Sequence, residues 1–226
     1  MTVEQVSGRL DLKNKQKIIL AIDPGTSCGY AVAKVIADKC EIIEYGYINV
    51  DNSSLYMGDW CLDLIRKLDE LEYNINADEV AVEDYFFSGR FAKGSNVNPS
   101  YRAAIYMWAR RNAMHYEILN ISNWKVFIAG RSTPTKEQKL KWGKEAAKKL
   151  ATVEALWKRW NIRLPNHSIS ENTGKPIAFR FDVADAIAQA MYAAYLRYNC
   201  KEFTSSVPVP PDFVFKKPSK KTFSYS

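Results

Sequence analysis

Apolar residues along the chain recur with two different periods, and the alternation between them predicts the order of elements. The run Lys17-Ile18-Ile19-Leu20-Ala21-Ile22-Asp23 is continuous, short and stopped by Pro24-Gly25, the pattern of a buried strand ending in a turn. A second strand-like run covers Cys28 to Ile36. A third, Glu41 to Ile48, follows the turn Ala37-Asp38-Lys39. Such short connections predict an antiparallel meander. Leu62, Ile65, Leu68 and Leu71 then share a helical face within 55–71. Glu79-Val80-Ala81-Val82-Glu83 reads as a fourth strand, 100–114 as a helix and 116–121 as a fifth strand. Thr135-x-x-Gln138 is a capping box, and it opens one long helix with apolar positions Leu140, Ala147, Leu150, Val153, Leu156 and Trp160. Residues 161–178 read as a loop and 182–198 as the last helix. The prediction is an α/β fold with a mixed five-stranded sheet, three antiparallel strands then two more, flanked by helices. Its domain covers 17–200, between a flexible N-terminal extension (1–16) and a flexible basic tail (201–226) that holds Pro208, Pro210, Pro211 and Pro218.

Composition narrows the class. The 226 residues are 47% hydrophobic and 25% charged, an ordinary globular balance. No run approaches the ~18 apolar residues of a membrane span, and the first sixteen residues lack the apolar core of a secretory signal. Cys28, Cys40, Cys61 and Cys200 form no CxxC pattern and read as reduced thiols. An intracellular protein is expected, neither secreted nor membrane-bound. With only two histidines, His115 and His167, neither a histidine-built zinc site nor a Ser-His-Asp triad is favoured.

Charge changes the picture more. The net +7 is unevenly distributed: residues 1–121 are net −4, residues 122–163 are net +8 and residues 164–226 are net +3. Lys141, Lys144, Lys148 and Lys149 lie largely off the apolar stripe of the long helix. Such a segment reads either as a solvated lysine-rich face or as a grip on the phosphates of a nucleic acid.

Four acids stand at element ends. Asp23 closes the first strand, Glu83 closes the fourth, and Asp182 and Asp185 are three apart at the start of the last helix, on one face. Singly, Asp182 reads as a helix cap, Asp23 as a turn residue and Glu83 as a solvated strand end. Together they suggest a site for two divalent ions, because ionised carboxylates beside apolar strands are costly without a cation between them. All-oxygen ligation favours Mg²⁺, with Mn²⁺ as substitute. In phosphodiester cleavage one ion activates water and the other stabilises the leaving 3′ oxygen.

Ile22-Asp23-Pro24-Gly25-Thr26, Val82-Glu83 and Asp182-Val183-Ala184-Asp185-Ala186 resemble the motifs of RuvC-type Holliday junction resolvases over roughly 17–197. Lys125, Gly130 and Lys136 resemble that family's Lys-x₄-Gly-x₅-Lys arrangement, although Ala129-Gly130-Arg131-Ser132-Thr133-Pro134 departs from its glycine-rich stretch. The resemblance implies an RNase H-like fold and a homodimer that cuts four-way DNA junctions symmetrically, leaving a 5′ phosphate and a 3′ hydroxyl. It further implies that Lys125 or Lys136 offsets charge at the scissile phosphate and that Phe86, three residues after Glu83, wedges into the junction. Tyr85 and Phe87 flank that ring, each read as core packing or as a base contact, and Arg90, Lys93 and Arg102 could hold the backbone nearby. A compact chain with its own basic tail would suit a viral, phage-type or organellar member, acting, if viral, in the cytoplasm or nucleoid of a bacterial host. Two other readings within DNA binding are a nuclease of relaxed specificity for flaps and forks, and a noncatalytic junction binder. Asp23-Pro24-Gly25-Thr26 also resembles the phosphate loop of actin-like kinases, but those need a second half for which 226 residues leave no room.

Overall fold

The structure is a computed structural model that describes residues 16–25, 27–84, 97–164, 168–169, 176–177 and 181–208. The apolar run becomes β1 (Lys17–Asp23), with five consecutive buried residues because both of its faces are covered. It pairs antiparallel with β2 (Ser27–Ile36), which pairs antiparallel with β3 (Lys39–Asn49). After α1 (Met57–Ile75), β4 (Glu79–Glu83) lies parallel to β1 on its other side. After α2 (Val97–Arg111), β5 (His115–Leu119) lies parallel to β4. Next come α3 (Ile121–Ala129), α4 (Lys136–Trp142), α5 (Lys144–Trp160) and a two-residue ladder of β6 (Ser168–Ile169) with β7 (Pro176–Ile177). α6 (Phe181–Tyr198) and β8 (Glu202–Ser205) complete the order.

Period-two alternation along β1 sorts its side chains between two cores. Ile19 and Ala21 face a core with α3, α5 and α6. Ile18, Leu20 and Ile22 face one built with Leu64 and Leu68 of α1 and with Tyr101, Ile105 and Trp108 of α2. Buried residues lie on most of the circumference of α6, six of them alanine, and their small side chains let the helix approach β1 and β2.

The expected sheet gains a sixth strand, in the order β5-β4-β1-β2-β3-β8. β8 runs parallel to β3, with Lys39 opposite Glu202, so the domain passes the expected boundary at 200 and the start of the expected tail is sheet. Four residues without an apolar run (Glu-Phe-Thr-Ser) carry no strand signal of their own; backbone pairing along the β3 edge makes them one. The long helix is two, broken at Gly143, whose φ of 85° is accessible to glycine but not to most residues. In consequence Leu140 is 87% exposed and leaves the expected apolar stripe. The capping box at Thr135 and Gln138 forms as expected. The fifth strand stops at Leu119, because the Asn120 side chain accepts from the backbone N–H of Ser122 and Asn123 and starts α3, which the hydrophobic pattern had hidden. On α1 the inward face carries Leu64 and Leu68, while Leu62 is exposed.

One close approach determines where α6 sits. Gly29 of β2, opposite Asp23 in register, lies so near the start of α6 that a Cβ there would meet the Asp182 carbonyl oxygen at 2.1 Å. Backbone cannot swing away as a side-chain tip can. Gly29→Ala is therefore expected to lower the unfolding free energy by about 3 kcal/mol, the upper range for overpacking. An unchanged urea midpoint would show that α6 does not depend on this seat.

Candidate active site

Parallel pairing of β1 and β4, with Ile22 opposite Val82, brings Asp23 and Glu83 to the same end of the sheet. The seat at Gly29 brings the start of α6, with Asp182 in its first turn and Asp185 just beyond it, against that end. The four acids come from three elements and act on one another. Burial, then Asp185, Glu83 and Asp182, hold the Asp23 carboxyl well above its ordinary range. Burial and then Asp185 push Glu83 up to about 7, against Lys125 and a hydrogen bond from Trp124. Burial raises Asp185 to about 6, with Asp182 adding to the rise while Lys125, the Thr152 hydroxyl and Lys149 oppose it. Each is the response of a carboxylate placed near others in a poorly hydrated position.

Lys125 is the cation that acts on Asp23, Glu83 and Asp185. It rises from α3 with its Nζ 4.9 Å from the centre of the Trp124 ring. Lys136 stands exposed at the start of α4, and it is not among the principal groups acting on the acids. Lys149 lies 5.4 Å over the Phe181 ring and within reach of Asp185, so α5 extends its charge to the site's edge. Lys141, Lys144 and Lys148 are exposed. Lys148 also lines a cleft of about 200 Å³ with Trp124, Lys125 and Thr152, between α3 and α5, whose lining holds none of the four acids. Arg102 pairs with Asp84 at 2.6 Å, one residue past Glu83. Phe86, Phe87, Arg90 and Lys93 lie outside the described residues. His115 bonds Glu117 at 3.2 Å on β5, apart from the site.

Two contributors carry no signal of the kind read from sequence. Trp124 donates from Nε1 to Glu83 Oε2 at 3.0 Å, and Thr152 bonds Asp185. A tryptophan in an apolar helix reads as core, and Trp124 is indeed fully buried. Thr152, a polar residue among alanines and leucines on α5, offers the weaker hint.

Among the described residues, no three acids, histidines or cysteines form a ready-made metal cage. The donors nevertheless fit a divalent cation. All are carboxylate oxygens, Asp185, Glu83 and Asp182 raise the Asp23 carboxyl while Asp185 raises Glu83, and buried Asp185 Oδ1 has no hydrogen-bond partner among the described residues.

Fold and carboxylates together place the chain in the RNase H-like α/β class, and solved structures agree on the fold. Thermus thermophilus RuvC superimposes with a TM-score of 0.56 at 18% identity, covering 80% of this chain and 96% of that one. The yeast mitochondrial Holliday junction resolvase Ydc2 gives 0.52 at 16% identity, covering 81% and 82%. The family model described as crossover junction endodeoxyribonuclease RuvC matches residues 19–145. Relatives of that name from Helicobacter pylori strain G27 (31% identical; 76% of this chain, 93% of theirs) and Helicobacter acinonychis (33%; 78% and 95%) run along most of it. The chain belongs to the RuvC family of crossover junction endodeoxyribonucleases.

The raised carboxyls set a stability signature. When a carboxyl's pKa is higher folded than unfolded, the unfolded chain loses the proton first as pH rises, and stability falls until the folded value is passed. For Asp185 that window runs from its ordinary 3.8 to about 6. In chelator at about pH 8, Asp185→Asn is expected to be more stable than wild type by on the order of 2 kcal/mol. The difference should shrink as pH falls through the window. Urea unfolding at several pH values checks this; a variant less stable throughout would contradict it.

Proposed function

We propose that this chain is a structure-selective endonuclease that resolves four-way DNA junctions by divalent-metal-dependent hydrolysis of two symmetric phosphodiesters. The observation that carries the proposal is the gathering of Asp23, Glu83, Asp182 and Asp185, three of them within the field of Lys125, in a chain of the RuvC family. Membership supports the substrate: one structure of a relative is of Thermus thermophilus RuvC in complex with a Holliday junction substrate. Against the alternative of a noncatalytic binder, half-buried carboxylates facing phosphates would only repel DNA unless a cation joined them.

The four acids hold Mg²⁺, with Mn²⁺ as substitute, and two ions per centre. When bound, the ions supply Lewis-acid stabilisation of charge on the phosphate and lower the pKa of water. The chain's own residues do the rest. Lys125, rather than Lys136, offsets charge growing at the scissile phosphate, since its ammonium already acts on three of the acids. The 122–163 segment holds the junction arms through Lys141, Lys144, Lys148 and Lys149. Each phosphate neutralised adds about −0.9 to the salt slope. Phe86, three residues after Glu83 in sequence, stacks on unpaired bases at the branch point, and Phe87, Arg90, Lys93 and Arg102 hold the DNA nearby. A two-fold pair of chains matches a substrate needing two symmetric cuts, which supports a homodimer. The four cysteines, all free, support an intracellular place of action.

Synthetic four-way junctions labelled on each strand in turn, incubated with and without Mg²⁺, test the proposal. Paired nicks at two-fold related positions near the branch point are expected with Mg²⁺. Asp182→Asn should reduce cutting roughly 100-fold or more while retaining junction binding in a gel-shift assay. Absence of Mg²⁺-dependent cleavage would overturn the proposal, and equal cutting of flaps and forks would replace it with a branched-DNA nuclease of relaxed choice.

A further inference from the structure

Two uncharged donors stand directly behind the carboxylates. Trp124 on α3 is 0% exposed and donates to one oxygen of Glu83, Oε2, at 3.0 Å. Thr152 on α5 is 4% exposed and its hydroxyl bonds the Asp185 carboxylate, whose buried Oδ1 has no partner among the described residues. Trp124 also carries the Lys125 ammonium 4.9 Å from its ring centre, so one indole bears on both an acid and the lysine that faces it.

What these donors can supply is orientation. A lone carboxylate at the end of a strand or near the start of a helix can rotate about its terminal torsion, a broad and shallow degree of freedom. Repulsion among four acids favours turning the oxygens away from one another. A donor fixed in the core removes that freedom by holding one oxygen and leaving the other for a cation. The placement is specific, since the donors come from two helices and address acids on two other elements, β4 and α6. Both are locked by packing: Trp124 belongs to the core of α6 and β1, and Thr152 is flanked by buried Leu150 and Val153.

We propose that Trp124 and Thr152 are positioning residues that orient the Glu83 and Asp185 carboxylates to share a divalent cation, an inference that rests on reading the four acids as its ligands. Neither side chain touches the reacting phosphate; each acts through the acid it holds.

The test measures Mn²⁺ binding to the full-length protein by calorimetry, without DNA, beside the Mg²⁺ dependence of junction cleavage. Trp124→Phe and Thr152→Val are each expected to weaken Mn²⁺ binding about 10-fold, the usual scale for losing the partner of a metal ligand. The Mg²⁺ concentration for half-maximal cleavage should rise by a similar factor, while junction affinity in Ca²⁺ stays at the wild-type value. Thr152→Ser keeps the hydroxyl and should restore both. Replacing Trp124 with benzothienylalanine keeps the ring's shape without the N–H, and should reproduce the Phe effect at wild-type thermal stability. Wild-type Mn²⁺ affinity in Thr152→Val and in the benzothienyl protein would overturn the inference, as would Thr152→Ser behaving like Thr152→Val. If Asp185→Asn also leaves Mn²⁺ binding unchanged, the ligand reading itself falls, and the inference with it.

Discussion

Repulsion among half-buried carboxylates is the constraint on which the rest of this structure turns. Carboxylates in a poorly hydrated environment favour protonation or a cation, and the rise of Asp23, Glu83 and Asp185 expresses that demand. The fold enforces the crowding by close contact of backbone. Parallel pairing sets Asp23 beside Glu83, and an alanine-rich α6 seated at Gly29 brings in Asp182 and Asp185. A helix carrying larger residues toward β2 could not approach so closely, and the acids would separate into ordinary solvated groups.

Compensation is partial, and its source is instructive. Lys125 from α3 and Lys149 from α5 lower the cost, and Trp124 and Thr152 contribute neutral hydrogen bonds. Both helices belong to the 122–163 segment, which holds the protein's charge excess. The basic stretch is therefore an electrostatic neighbour of the acids as well as a surface of exposed lysines suited to phosphates. A centre able to attract both a divalent cation and a polyanion needs both signs close together, and the topology supplies them from separate parts of the chain.

Much of this was legible in the residues. Continuous or alternating apolar runs marked β1 to β4, because burial on one or both faces writes itself directly into a strand. The acids were legible as well, since an acid next to a buried run is conspicuous. Other features depend on tertiary context. β8 has no pattern of its own and exists through pairing with β3. The break at Gly143 hides inside a continuous helical period, and α3 hides behind an apolar stretch that suits either helix or strand until Asn120 caps it. Trp124 and Thr152 were illegible as site residues because each looks like core, and only the arrival of β4 and α6 beside them gives their polar atoms a partner. Leu62 and Leu140 show the converse: each fits a predicted apolar face and each is exposed.

The central claim is that the gathered acids form a divalent-cation site. A crystal soaked in Mn²⁺, with anomalous differences collected at the manganese edge, tests it most directly. Peaks within coordination distance of Asp23, Glu83, Asp182 and Asp185, with Asp185 Oδ1 among the ligands, are the predicted result. Manganese bound only elsewhere on the protein, with these carboxylates unliganded at saturating Mn²⁺, would contradict the account.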